Sequence, residues 1–152
     1  MVSAMAKLFS GPLEDRMLIR EAMETYAHGV MNRDAEIWST VWADDAYWAL
    51  PEYPDLGGFD GKPAIVAGWV ESMKHYGLEK CAKPMIYTMA PGAIEVTGDT
   101  AKAVAYTSEL YDDPQSGKTI RARGRYDDEL RKQDGRWLFT RREYRIMHAA
   151  ED

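Results

Sequence analysis

The sequence predicts an α+β fold, in which N-terminal helices precede a curved antiparallel sheet that wraps around them. Up to about residue 77, apolar residues recur with the period of a helix. Beyond residue 83 the period changes to two, which is typical of strands. Helices followed by a meander of strands favour one α+β domain, with a pocket between the sheet and the long first helix.

The helical half contains three predicted helices. Residues 13–32 form an amphipathic helix because Leu18, Ala22, Tyr26 and Val30 recur every four residues. A short helix is predicted over residues 35–42, and a third begins at Pro63 and ends near Gly77. Between the last two, residues 46–50 predict a strand and residues 51–61, rich in Pro and Gly, predict a loop.

Turn residues divide the second half into strands. Residues 84–88 and 93–96 are interpreted as two halves of one strand that bends at Pro91-Gly92. Further strands are predicted over residues 100–111, 118–132 and 136–148, with hairpin turns at Gly98-Asp99 and Asp134-Gly135. Residues 13–148 are therefore expected to form a single domain between flexible tails, residues 1–12 and 149–152.

Composition disfavours several classes of partner. The chain has 152 residues, 45% of them hydrophobic, and a formal net charge of -6, so it would repel a nucleic acid on average. No apolar run approaches the roughly 20 residues needed to cross a bilayer. The single Cys81 provides neither an internal disulfide nor a set of metal ligands, as expected of a reduced cytoplasmic protein. We expect no metal and no cofactor.

Six short motifs occur in an order that resembles the SnoaL-like branch of the nuclear transport factor 2-like superfamily. They are Tyr26-Ala27-His28-Gly29, Trp42-Ala43-Asp44-Asp45-Ala46, Phe59-Asp60-Gly61-Lys62, Gly98-Asp99-Thr100-Ala101, Gly124-Arg125-Tyr126 and Asp134-Gly135-Arg136-Trp137. The resemblance implies a cone-shaped barrel whose cavity is closed by the helices. Relatives include scytalone dehydratase, ketosteroid isomerase, hexachlorocyclohexane dehydrochlorinase, polyketide cyclases and formaldehyde-releasing lignin-dimer lyases, as well as members without catalysis.

The dehydrochlorinase pattern can be carried over residue by residue. Its helix Asp falls at Met31 and its general-base His at Tyr87, so the Asp–His dyad of that family is missing. Its Lys falls at Tyr26, its cavity Trp at Trp48, and its last-strand Arg at Arg142. Three polar positions therefore persist in altered form, at Tyr26, Tyr87 and Arg142.

Strand alternation gives a separate prediction of the side chains that face the cavity. With Lys102 facing water, the inward residues of one strand are Ala101, Ala103, Ala105, Thr107 and Glu109. On the next two strands they are Ala122, Gly124, Tyr126 and Asp128, then Leu138, Thr140, Arg142, Tyr144 and Ile146. Small residues leave room for one or two aromatic rings. The predicted substrate-binding residues are Met31, Trp48, Leu50, Trp69, Met85, Tyr126 and Tyr144.

Five polar residues are candidates for catalysis. Tyr26 and Tyr87 could donate hydrogen bonds to a hydroxyl or carbonyl, or they could be buried structural tyrosines. Arg142 could stabilise developing negative charge, or it could pair with Asp128 or Glu109 within the barrel. Asp128 and Glu109 are the inward carboxylates, and either could act as a base if burial raises its pKa, or could be paired structurally.

These residues favour a cofactor-independent lyase that performs dehydration, elimination or C–C cleavage on a hydrophobic, aromatic or phenolic small molecule. One alternative is an isomerase or cyclase of a ring-containing ketone that uses an inward carboxylate. The other is a non-catalytic small-molecule binding protein. Arg121, Arg123 and Arg125 form a stripe on the predicted outer face, where they pair with acidic residues or meet another subunit. Because members of the family commonly associate through that face, the resemblance implies a homodimer or homotrimer.

Overall fold

A computed structural model describes residues 7–75, 78–80 and 85–151. These residues form three α-helices, α1 (Leu13–Asn32), α2 (Ala35–Ser39) and α3 (Lys62–His75), and a short 3₁₀ helix, Leu78–Lys80, follows the third. The strands are β1 (Phe9–Ser10), β2 (Trp42–Leu50), β3 (Gly57–Asp60), β4 (Ile86–Thr97), β5 (Thr100–Asp112), β6 (Thr119–Gln133) and β7 (Arg136–Glu151).

The long helix α1 has the predicted bounds. Glu14 and Asp15 lie in its first turn, where carboxylates interact favourably with the helix dipole. It ends at Arg33, which adopts the left-handed conformation (φ 52°) and donates its backbone N–H to the carbonyls of Gly29 and Val30. Its buried face includes Ile19, Met23, Tyr26 and Val30 and packs against β4, which brings Tyr26 into the interior.

The strands of the described chain form one curved sheet in the order β1-β4-β5-β6-β7-β2-β3. The α+β class is confirmed, and the sheet is cone-like without being closed. It is mixed rather than purely antiparallel as predicted, because β1 pairs with β4 and β2 pairs with β7 in parallel. The hairpins at Gly98-Asp99 and Asp134-Gly135 are confirmed, with positive φ at Asp134 and Gly135 as a tight turn requires.

Some element bounds differ from the prediction. Helix α2 ends at Ser39 instead of residue 42, and Trp42 begins β2. Part of the predicted loop forms β3, since Gly58 has no side chain to collide with Tyr47 on the paired strand. The segments predicted to be tails also contain strand residues, because Phe9–Ser10 form β1 and β7 continues to Glu151.

Alternation is confirmed on β5 and β6 but slips by one residue on β7. Trp137 and Phe139 are buried there, instead of the predicted Leu138 and Thr140. The register with β6 shifts between Glu129 and Leu130, and this bulge reverses the faces of the preceding residues. The predicted orientation holds again for Arg142 and Tyr144, whereas Ile146, predicted inward, is 37% exposed beside a second irregularity.

The outer face of the sheet carries the predicted arginine stripe. Arg121 and Arg123 are exposed, while Arg125 pairs with Asp127 at 2.9 Å. Ile86 and Leu110 are also exposed on this face, at 52% and 37%. Association through this face stays a prediction.

Candidate functional site

A cavity of about 240 Å³ lies between α1, α3 and the inner face of the sheet. Nine of the residues predicted for the site line it. The helices and β2 contribute Tyr26, Trp69, Trp48 and Leu50. Met85, Tyr87, Glu109, Tyr126 and Tyr144 complete this set from β4 to β7 and the residue before β4.

Three predicted site residues are not part of the cavity wall: Met31, Asp128 and Arg142. Met31 is half-buried against the core, and Val30 lines the cavity instead. The reason is helix geometry, since a residue four positions after Tyr26 points about 40° away from it and a residue five positions after it about 140° away. Met31 is therefore corrected from a substrate-binding residue to a packing residue.

Arg142 and Asp128 form a closed ion pair inside the sheet. The Arg142 Nε and Nη2 atoms donate to the two Asp128 carboxylate oxygens at 2.7 and 3.0 Å, and both side chains are 0% exposed. Burial raises the pKa of Asp128, and the guanidinium opposes this effect. Burial alone would lower the pKa of Arg142, but the Asp128 carboxylate raises it above its usual value. The structural alternative considered for this pair is therefore the one observed.

Aromatic rings separate the ion pair from the cavity. The Arg142 guanidinium lies 3.8 Å from the ring centre of Tyr126, 4.0 Å from that of Phe139 and 4.5 Å from that of Tyr26. The guanidinium therefore lies behind the rings and is not part of the cavity wall, where the sequence predicted it.

The hydroxyls of Tyr26 and Tyr126 hydrogen-bond to each other at 2.8 Å in the cavity wall. One hydroxyl donates to the other, so the accepting hydroxyl still has its own hydrogen to offer a ligand. Burial raises the pKa values of Tyr26, Tyr126 and Tyr87, which keeps these phenols uncharged near neutral pH. They provide neutral donors.

Glu109 is in a different situation from Asp128. It is partly buried on the inner face of β5, opposite Tyr87 on β4 and Ala122 on β6. Within the described residues its carboxylate has no hydrogen-bond or ion-pair partner. Burial raises its pKa to about 7.

The position of Tyr144 depends on the glycine at 124. A Cβ atom at Gly124 would collide with the ring and hydroxyl of Tyr144, so glycine lets this ring lie flat on β6. The Tyr144 ring also packs against Tyr126, with their centres 4.9 Å apart. Both rings belong to the cavity wall.

The comparisons with known proteins identify the family and agree with the fold. The family model of the SnoaL-like domain matches residues 11–143. The chain belongs to the SnoaL-like family. No curated protein is similar enough in sequence to match it.

Solved structures share the fold of this SnoaL-like domain. A type 2 hexachlorocyclohexane dehydrochlorinase superposes with a TM-score of 0.75 at 18% identity, covering 92% of this chain and 90% of that chain. A candidate scytalone dehydratase from Novosphingobium aromaticivorans gives 0.76 at 18% identity, with 91% and 87% covered. A candidate aromatic ring hydroxylase from the same species gives 0.75 at 23% identity, with 94% and 96% covered.

Several cavity residues of the SnoaL-like domain were not predicted from the sequence. They are Val30, Tyr53, Leu56, Ser72, Met73, Leu78 and Tyr111. Tyr53 and Leu56 lie in the segment between β2 and β3, where no periodicity indicates direction. Glu52 fixes that segment, because its carboxylate accepts the backbone N–H of Ile146 at 2.8 Å.

Two kinds of feature are not found in the described part of the SnoaL-like domain. No three His, Cys, Asp or Glu side chains there are grouped so that they could hold a metal ion. None of the helices described is long and apolar enough to cross a membrane.

Proposed function

We propose that this protein is a lyase that eliminates water from a small aromatic or phenolic molecule, using only its own side chains. The observation that carries the proposal is the carboxyl of Glu109, which has no partner among the described residues and lies in a wall of phenol rings. With a pKa of about 7, this carboxyl is able both to accept and to return a proton near neutral pH.

In the proposed reaction, the Glu109 carboxylate removes a proton from a substrate carbon. The electrons of that C–H bond form a double bond to the neighbouring carbon, whose C–O bond breaks. The departing oxygen takes a proton from the hydroxyls of Tyr26 and Tyr126 and leaves as water, and the proton on Glu109 then restores the phenol pair. The substrate loses one hydrogen and one hydroxyl, and the protein is unchanged.

The phenol pair supports this role for a physical reason. Its free hydroxyl hydrogen is an uncharged donor that costs less to bury than a charged one and can stabilise charge on a departing oxygen. The Arg142 guanidinium, paired with Asp128, lies beneath both rings and opposes the rise in their pKa values, which favours transfer of a proton from these phenols. We assign Tyr87, which faces Glu109 across the strand pair, the task of orienting the substrate ring.

A second candidate is an isomerase or cyclase that uses the same carboxyl. The observation in its favour is that a lone acid with a pKa near 7 can take a proton from one carbon and deliver it to another. In that reaction no group leaves, and the phenol pair holds a carbonyl oxygen instead of a departing hydroxyl.

The test uses compact phenolic compounds that carry a hydroxyl or carbonyl next to an acidic C–H bond, incubated with the protein in heavy water and analysed by mass spectrometry. A lyase produces a compound lighter by one water, whereas an isomerase leaves the mass unchanged apart from deuterium uptake. Glu109→Gln is expected to lower kcat about 10²–10⁴-fold. Glu129→Gln, on the exposed face of β6, is the matched control and is expected to retain full activity.

Two results would contradict the proposal. One is full turnover by Glu109→Gln. The other is binding of these compounds without any loss of water or uptake of deuterium, which would favour a binding protein.

A further inference from the structure

We propose that Glu109 makes the cavity select ligands by charge: it admits compact ring compounds that are uncharged or carry an ammonium group, and it excludes those that carry a carboxylate or phosphate. This inference names the ligand class of the site on which the proposed function rests. It concerns binding alone and does not depend on the reaction.

The first support is the inventory of charge in the cavity wall. Among the lining residues that the structure describes, Glu109 is the one carboxyl, and none is Lys, Arg or His. Among these described lining residues, an entering anion therefore meets no cation. The buried cation Arg142 lies beneath the rings of Tyr26 and Tyr126, and its Nε and Nη2 atoms both donate to Asp128.

The second support comes from the titratable groups that line the cavity together with Glu109. Among the described lining residues they are all phenols: Tyr26 on α1, Tyr87 on β4, Tyr126 on β6, Tyr144 on β7, Tyr53 in the segment after β2 and Tyr111 on β5 itself. Burial raises the pKa values of Tyr26, Tyr87, Tyr126 and Tyr144, so these four stay uncharged across the range in which Glu109 titrates. Glu109 then sets the charge of this part of the wall.

The third support is the energetics of an unpaired carboxylate. Burial without a counter-ion raises the pKa of Glu109 to about 7, which means that its charge is costly there. A second negative charge nearby adds repulsion that little water screens. An ammonium group supplies the missing counter-ion, and the faces of the surrounding tyrosine rings attract a cation as well.

The size of the cavity limits the ligand. Its volume of about 240 Å³ lies below the range of about 300–1,000 Å³ that is usual for drug-sized ligands. One substituted ring or a compact fused pair of rings is consistent with this volume. Phenols with a short side chain are therefore suitable probes.

The experiment compares three probes that share one ring and differ in the charge of the side chain: tyrosol (neutral), tyramine (ammonium) and para-hydroxyphenylacetate (carboxylate). Binding is measured by calorimetry on the wild type, on Glu109→Gln and on the exposed-face control Glu129→Gln. At about pH 8, the wild type and Glu129→Gln are expected to bind para-hydroxyphenylacetate at least about tenfold more weakly than tyrosol, with tyramine at least as tight as tyrosol.

Protonation of Glu109 should remove the difference in affinity between the carboxylate probe and the neutral probe. At about pH 5.5 the carboxylate probe still carries its charge, yet its affinity for the wild type is expected to come within about threefold of that of tyrosol. In Glu109→Gln, which keeps the shape of the side chain without its charge, the affinities of para-hydroxyphenylacetate and tyrosol are expected to be equally close at about pH 8.

Equal affinities in the wild type at the higher pH, discrimination that persists in Glu109→Gln, or no binding of any probe would overturn the inference. Its failure is distinct from failure of the proposed function. If the protein selects probes by charge but no compound reacts, only the proposed lyase function is overturned. If compounds react but the probes bind equally whatever their charge, only this inference is overturned.

Discussion

Two carboxyls lie on the inner face of the same sheet in opposite electrostatic situations. Asp128 on β6 is fully buried and bonded through both oxygens to Arg142. Glu109 on β5, six residues beyond the partner of Asp128 in the strand register, borders a cavity and has no partner within the described residues. A counter-ion favours the charged form of a buried carboxyl, whereas a buried carboxyl without one titrates at a higher pH and is available for chemistry.

The tyrosine rings keep these two regions apart. Tyr26 and Tyr126 have the guanidinium of Arg142 on one side and the cavity with Glu109 on the other. Because of this layer, Arg142 does not neutralise Glu109, and Glu109 does not compete with Asp128 for the guanidinium. Each of the following experiments tests one side of this separation or the layer itself.

The largest effect is expected from Arg142→Met, which should lower the free energy of unfolding by about 3–5 kcal/mol because it leaves the Asp128 carboxylate buried and unpaired. Urea denaturation followed by tryptophan fluorescence measures this loss. The double variant Arg142→Met/Asp128→Leu is the control and should recover most of it, since a buried pair replaced by apolar side chains is often neutral. Equal losses in both variants would mean that ring packing, and not the ion pair, is responsible.

The next effect is a dependence of stability on pH that comes from Glu109. Its folded-state pKa of about 7 lies above its ordinary value of 4.5, so between these values the folded state binds more protons than the unfolded state. Stability is therefore expected to fall as pH rises through this window, by up to about 2–3 kcal/mol. Glu109→Gln should remove this slope in denaturation curves measured at several pH values. An unchanged slope in that variant would assign the effect to another group.

A smaller effect should follow from Gly124→Ala. The added Cβ meets the Tyr144 ring and forces it away from β6, with an expected cost of about 1–3 kcal/mol in unfolding free energy. If the two residues are coupled as the contact requires, adding Tyr144→Ala should cost less in the Gly124→Ala background than in the wild type. Additive losses would show that the two sites are independent.

The smallest effect is expected from the hydrogen bond within the ring layer. Tyr26→Phe and Tyr126→Phe each remove one partner of the hydroxyl pair and should each cost about 1 kcal/mol of unfolding free energy. Because the second substitution has no bond left to break, the double variant should cost less than the sum. A coupling energy of zero in this double-mutant cycle would contradict a stabilising role for the bond.

The sequence predicts the fold because periodicity is a local property. The repeat of Leu18, Ala22, Tyr26 and Val30 specifies α1, and Asp134-Gly135 specifies a hairpin with positive φ. The bulge that reverses the faces of β7 before Arg142 depends on pairing with β6, so alternation alone places Leu138 and Thr140 on the wrong side. Helix periodicity and strand alternation nevertheless predict most of the residues that line the cavity.

The sequence could not show which of the two inward carboxylates pairs with Arg142. Strand alternation places both Asp128 and Glu109 on the inner face of the predicted sheet with Arg142. It therefore gives no reason to choose one of them as the partner of Arg142. Cross-strand register decides between them, since Asp128 stands directly opposite Arg142 whereas Glu109 stands opposite Tyr87 and Ala122. Tyr53 and Leu56 escaped prediction because their direction depends on the Glu52 contact with β7.

The two short strands at the ends of the sheet limit how readily two copies of the molecule can pair through their strand edges. A long free strand edge invites pairing with another chain and, eventually, aggregation. Here Phe9–Ser10 pair with the outer edge of β4 at Ile94 and Glu95. Pro91 on the same strand has no amide hydrogen to donate to a strand of another chain. At the other end β3 is only four residues long, so both end strands of the described sheet are short, which limits the edge that they offer for pairing with another chain.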